Sequence, residues 1–158
     1  MAVGTVMILG IDPGATGAVA IMSDNGYLID LYDLPHMEGY GLSEAVLREM
    51  LAEVDDVKHA FIERVSAMPK QGVVSTFKLG VNYGAIRGVC AGLHIPFSLV
   101  TPGKWKRDLG LKADKDQARA RAAQLWPGAA KQFARKKDDG RAEAALIALW
   151  GSKHGGAL

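Results

Sequence analysis

Cysteine is nearly missing from this chain: the single Cys90 permits no internal disulfide and no multi-cysteine metal site. It lies in an apolar helical pattern and reads as a buried, inert thiol. No apolar run approaches the ~20 residues that span a bilayer. No basic segment near the start leads into a signal-peptide core, so the expectation is a cytoplasmic protein with no membrane partner. Internal repeats, low-complexity tracts and linkers are missing too. The four histidines, His36, His59, His94 and His154, show no ligand spacing, and no Ser-His-Asp or Cys-His set is visible. What remains is 158 residues, 49% hydrophobic and 23% charged. That suits one soluble domain, residues 1–158, with a substantial core.

Charge is unevenly spread. Residues 1–63 carry two basic residues against eleven acids, a balance of −9. Residues 64–100 have four basic residues and no acid, and residues 101–137 reach +8. A chain acidic in one half and basic in the other suggests a polyanionic partner on one face.

The opening stretch "VMILGIDPGATGAVAIM" is apolar except for one acid, Asp12, set beside Pro13, Gly14 and Gly17. Glycines there either bring backbone N–H groups to a nucleotide's phosphates or merely make a turn beside a metal-binding carboxylate. The stretch alone fits both. Residues 6–11 and 17–23 read as buried strands, and "NG" at 25–26 predicts a hairpin into a third strand, "YLIDLYDL". Ser43 caps a helix, "HAFIE" is a fourth strand, 73–93 a long helix, and "IPFSLV" a fifth strand. Thr101 and Pro102 open a short helix, Asp114 caps another that Pro127 and Gly128 stop, and a last helix begins near Asp138. In the 73–93 helix, Gly80, Gly84, Gly88 and Gly92 form one smooth stripe. Each costs about 1 kcal/mol against alanine, so the stripe is expected to pack closely on the sheet. The order β-β-β-α-β-α-β-α-α predicts an α/β protein with a mixed five-stranded sheet flanked by helices, a ribonuclease-H-like fold.

Asp12 ends or follows the first strand, Glu63 ends the fourth, and Asp138, Asp139 and Glu143 open the last helix. Sites in such sheets collect where strand ends and helix starts converge. Asp139 and Glu143 are i and i+4, on one side of a helix, whereas Asp138 lies about 140° around the axis from Glu143. The candidate cluster is therefore Asp12, Glu63, Asp139 and Glu143. Carboxylates brought together need a cation between them, and oxygen ligands suit Mg²⁺ or Mn²⁺ rather than zinc. Four acids beside a basic surface are what two-metal phosphodiester hydrolysis requires.

The segments "ILGIDPGATGAVAI", "FIERV", "STFKLGVNYGAIRGVCAG", "VTPGKWKRDLGL", "KDQARARAAQLWP" and "KKDDGRAEAALIALWG" resemble, in that order, the RuvC-type Holliday junction resolvases. The compact tail is most similar to bacteriophage and prophage members. The resemblance implies a homodimer that uses Mg²⁺ or Mn²⁺ to place paired nicks in four-way DNA junctions. It implies metal-ligand roles for Asp12, Glu63 and Glu143. The bacterial pattern puts its two terminal acids three residues apart, where this chain has Gly140, so the assignment of Asp139 departs from it. A DNA-contacting aromatic three residues after the strand glutamate is replaced by Ser66. Lys112 and Lys115 fall at DNA-contacting lysines of the family. The expected phosphate-binding set is Lys70, Lys104, Lys106, Arg107, Lys112, Lys115 and Arg119. The expected dimer face of the 73–93 helix is Phe77, Val81, Tyr83 and Arg87, opposite the glycine stripe. Sugar kinases and actin-like ATPases share the flavour of the opening motif, but they need a second lobe and a second glycine-rich loop. Asp12 is therefore best read as a metal ligand, with the glycines as its turn.

Overall fold

Two fully buried strands, β1 (Met7–Asp12) and β2 (Ala18–Ser23), form the centre of the fold. The computed structural model describes residues 4–155. β2 pairs antiparallel with β1 and with β3 (Leu28–Asp33), an edge strand that buries Leu31 and is otherwise largely exposed. The turn between β2 and β3 closes at Gly26, whose φ of 92° explains the Asn-Gly pair. A small hairpin, β4 (His36–Met37) with β5 (Gly41–Leu42), leads to α1 (Glu44–Ala52), where Ser43 accepts a hydrogen bond from the Val46 N–H. The chain continues through β6 (Val57–Glu63), α2 (Val73–Gly92), β7 (Phe97–Val100), α3 (Pro102–Asp108), α4 (Lys115–Leu125) and α5 (Asp139–His154). Short 3₁₀ turns at Pro127–Phe133 and Lys136–Asp138 connect α4 to α5. The sheet order is β3-β2-β1-β6-β7, with β1, β6 and β7 parallel. The expected mixed five-stranded sheet is present; β4–β5 is an addition that its two-residue strands left invisible to periodicity.

Strand alternation divides the core. Met7, Leu9 and Ile11 of β1 and Ala60 and Ile62 of β6 face α1 and α2, meeting Leu47, Leu51, Ile86 and Cys90. The opposite face carries Ile8 and Phe61, which pack on Leu146, Ile147 and Trp150 of α5. Asp12 and Glu63 are in step with that second face, so the period of two aims both at α5.

α5 lies unusually close to the sheet. A Cβ on Gly10 would collide with the Ala144 carbonyl oxygen and the Ala148 nitrogen, and one on Gly140 with the Thr16 carbonyl. The helix face that meets β1 and β2 is correspondingly small-sided, built from Ala142, Ala144, Ala145 and Ala148.

The glycine stripe of α2 corrects the sequence reading. Gly80, Gly84, Gly88 and Gly92 have open space where a Cβ would sit, and they face away from the sheet. α2 instead buries Asn82, Ile86 and Cys90, with Tyr83, Ala85 and Val89 packed beside them. Burial of a large apolar side chain gains about 1.5–3 kcal/mol, which glycine cannot match, so the larger side turns inward. Tyr83 is half-buried, packed against the edge of the core. Val73, Val74, Phe77 and Val81 remain exposed.

Gly10→Ala should destabilise the protein by about 1–3 kcal/mol through overpacking against the α5 backbone, whereas Gly84→Ala should be neutral or stabilising. Thermal denaturation of the two variants checks this. Equal effects would contradict the described packing.

Candidate metal centre

Asp12 ends β1, one residue beyond the Ile11–Ile62 pair that aligns β1 with β6, and Glu63 ends β6. Glu143 comes down from the first turns of α5, which the Gly140–Thr16 contact holds against the β1–β2 turn. Each of the three offers an oxygen within 4.8 Å of the other two, and all three residues are buried. The Oδ1 of Asp12 accepts the Gly14 N–H at 2.8 Å, so the glycine-containing turn also orients this carboxylate.

Three buried acids at this spacing oppose one another. Burial, then repulsion from Glu143 and Glu63, pushes the Asp12 carboxyl well above its ordinary range. Burial and Glu143 likewise raise Glu63 to about 7, against the opposing pull of the Trp105 N–H and of Lys106 and Lys115. The Trp105 indole Nε1–H donates to the Glu63 Oε2 at 2.8 Å in a buried contact. The Nζ of Lys106 stands 3.6 Å from the Glu143 Oε1. The donor set is all oxygen and negatively charged, which fits a hard divalent cation.

Asp139 stands outside the triad. Its Oδ2 pairs with Lys115 Nζ at 3.0 Å, and its Oδ1 accepts from Thr16 Oγ1 at 3.3 Å and from the Gly140 N–H at 3.0 Å. Burial opposes its charge, but these partners outweigh burial and hold it below the ordinary carboxylate range. The paired lysine is raised in turn, by that hydrogen bond and also by attraction to Glu143 and Asp12, so it belongs to the same field. Asp138 is buried elsewhere, hydrogen-bonded by Arg135 and flanked by Arg141.

The basic residues divide in the same way. Lys106 and Lys115 reach the acids. Lys70, Arg107 and Lys112 are exposed, and Lys70 sits at a φ of 67° in the loop that follows Glu63. Lys104 is exposed but pairs with Asp108 at 3.1 Å. Arg119, expected among the phosphate contacts, has its guanidinium bonded to Asp116 and to the carbonyls of Phe133 and Ala134. It ties α4 to the following 3₁₀ turn, and that tertiary use gives no signal in a charge pattern. Trp105, inside the short helix that Thr101 opens, meets Glu63 across 42 positions of the chain, a contact that leaves no local signal in the sequence. A cleft of about 310 Å³ between Met7, Ile29, Tyr32, Glu53 and Asp55 lies at the other end of β1. No described helix is long and apolar enough to cross a membrane.

No protein-family model matches the chain. The chain is 31% identical over 94 residues to the chloroplastic Holliday junction resolvase MOC1 of Chlamydomonas reinhardtii, a match covering 58% of this chain and 11% of that protein. The chain thus spans only a small part of that curated relative. Among solved structures, it superposes on Thermus thermophilus RuvC in complex with a Holliday junction substrate with a TM-score of 0.68. That match has 15% identity and covers 96% of both chains. The yeast mitochondrial Holliday junction resolvase Ydc2 gives a TM-score of 0.61 at 17% identity, covering 94% of this chain and 79% of that one. The chain has the ribonuclease-H-like fold of these proteins.

The raised carboxyls set a pH signature. Between ~4.3, the unfolded value of a glutamate, and about 7, folded Glu63 keeps a proton that the unfolded chain has lost. Stability of the metal-free protein should therefore fall as pH rises through that window, while affinity for a divalent cation should rise and binding should release protons. Calorimetry in buffers of different ionisation heat, with denaturation from pH 5 to 8, checks both slopes. Affinity independent of pH across this range would contradict the buried triad.

Proposed function

We propose that this protein is a divalent-metal-dependent DNA endonuclease that cuts four-way junctions. The observation that carries the reading is the buried triad Asp12, Glu63 and Glu143 with lysines at its rim. Mg²⁺ or Mn²⁺ would be held by these three oxygens. The chemistry supplied by such ions would be a lowered pKa for the attacking water and stabilisation of charge on the leaving 3′ oxygen.

The chain's own residues do the rest. Asp12, fixed by the Gly14 N–H, and Glu63, fixed by Trp105, present charge in set directions. Lys106 and Lys115, now satisfied by Glu143 and Asp139, would exchange carboxylate partners for phosphate oxygens as DNA enters. That exchange would release Asp139 toward the triad as a fourth ligand, which reconciles its place outside the cluster with the sequence reading. Lys70, Arg107 and Lys112 would extend the phosphate track, and binding would be strongly salt-dependent.

Two symmetric nicks in a two-fold junction call for two copies of the site. The outer face of α2, with Val73, Val74, Phe77 and Val81 exposed beside the open glycine stripe, supports a homodimer through that helix.

Labelled four-way, forked and linear duplex DNA should separate the outcomes. Paired nicks confined to four-way junctions, dependent on Mg²⁺ or Mn²⁺, are expected. Equal cutting of forks and flaps would make the enzyme a general debranching nuclease, and no cutting in either metal would contradict the reading. Asp12→Asn should abolish cleavage and leave junction binding intact, since it removes only ligand charge. Removing Lys112 and Lys115 together should make the log–log dependence of affinity on salt shallower by about 1.8. An unchanged slope would place the DNA on another face.

A further inference from the structure

We infer that Trp105 is a positioning residue for the metal centre, holding the carboxylate of Glu63 in one orientation for its role as a ligand. The inference rests on the reading of Glu63 as a metal ligand. A free carboxylate can turn about its last bond and bind a cation through one oxygen or both. Here the Oε2 of Glu63 accepts the indole Nε1–H of Trp105 at 2.8 Å. Indole nitrogen donates only, so it cannot change roles, and a buried indole N–H requires an acceptor. Trp105 is wholly buried and packed among Phe61, Val100, Ala118 and Leu146, so the ring cannot follow a rotating carboxylate. The carboxylate is thereby held in one orientation, with its Oε2 turned to the indole.

The same short helix serves the neighbouring acid. Thr101 caps α3 by accepting the Lys104 N–H, and Pro102 follows at the first turn, which sets where the helix begins. From that start, Trp105 reaches Glu63 and Lys106, the next residue, reaches Glu143, with its Nζ 5.2 Å from the Trp105 ring centre. α3 therefore orients one acid with a neutral donor and balances another with a cation. Conversely, among the described residues the acceptor that this buried N–H meets is itself a carboxylate of the site.

Trp105→Phe keeps most of the ring and removes the N–H. Calorimetric titration of the full chain with Mg²⁺ should show affinity reduced on the order of 10–100-fold, the usual range for losing an outer-shell partner of a ligand. Glu63→Gln in the same assay should lose binding at this centre. Glu63→Gln binding as tightly as the unsubstituted chain would overturn the ligand reading and the inference with it. Loss in Glu63→Gln with undiminished affinity in Trp105→Phe would overturn the positioning role alone. A second readout does not depend on Trp105→Phe folding. In a Trp126→Phe/Trp150→Phe background, Trp105 is the sole indole, and Mg²⁺ should shift its emission unless Glu63 is also replaced by Gln. Emission unmoved by Mg²⁺ that calorimetry shows to bind would overturn the inference.

Discussion

The close seating of α5 on β1 is the constraint on which the rest of the structure depends. Gly10 admits the α5 backbone where any side chain would collide with Ala144 and Ala148. Gly140 does the same at the start of the helix, beneath the Thr16 carbonyl. With the separation fixed at both places, Glu143 has one position relative to the strand ends. Sheet alternation and the parallel β1–β6 register then bring Asp12 and Glu63 to the same spot. Packing that looks purely structural therefore determines the spacing of three oxygens.

That arrangement works against stability. Three carboxylates with little solvent cannot all be charged without a counter-charge, and the elevated Asp12 and Glu63 carboxyls record the conflict. The fold relieves it only in part. Lys106 answers Glu143, Lys115 answers Asp139, and Trp105 supplies a neutral donor to Glu63. What remains is a net demand for positive charge at one buried point. A folded chain keeps such a demand where function needs it, since replacing the acids would be easy and stabilising.

Much of this was legible in the chain itself. The apolar runs before Asp12 and Glu63 announced buried strands ending in acids, and the i, i+4 pair in "DGRAE" put Asp139 and Glu143 on one helix side. The Asn-Gly turn, the Ser43, Thr101 and Asp114 caps and the inert Cys90 followed from local chemistry that the structure repeats. Other features depend on tertiary partners that lie far away in the chain. Asp139 is drawn to Lys115, 24 positions earlier, and spacing within α5 carries no trace of that pairing. Arg119 looks like any arginine in a basic helix until the carbonyls of the next turn take its guanidinium. The α2 stripe was legible as a stripe but not as an outward one, because both faces of that helix are apolar. The Trp105–Glu63 bond spans 42 positions and could be read only once α3 was in place.

The central claim is that Asp12, Glu63 and Glu143 converge to bind a divalent cation. Anomalous diffraction from crystals of the protein grown with Mn²⁺ tests it most directly. A manganese peak within bonding distance of one oxygen from each of the three residues is the result predicted. Manganese bound elsewhere on the chain, with the three carboxylates turned apart, would contradict it.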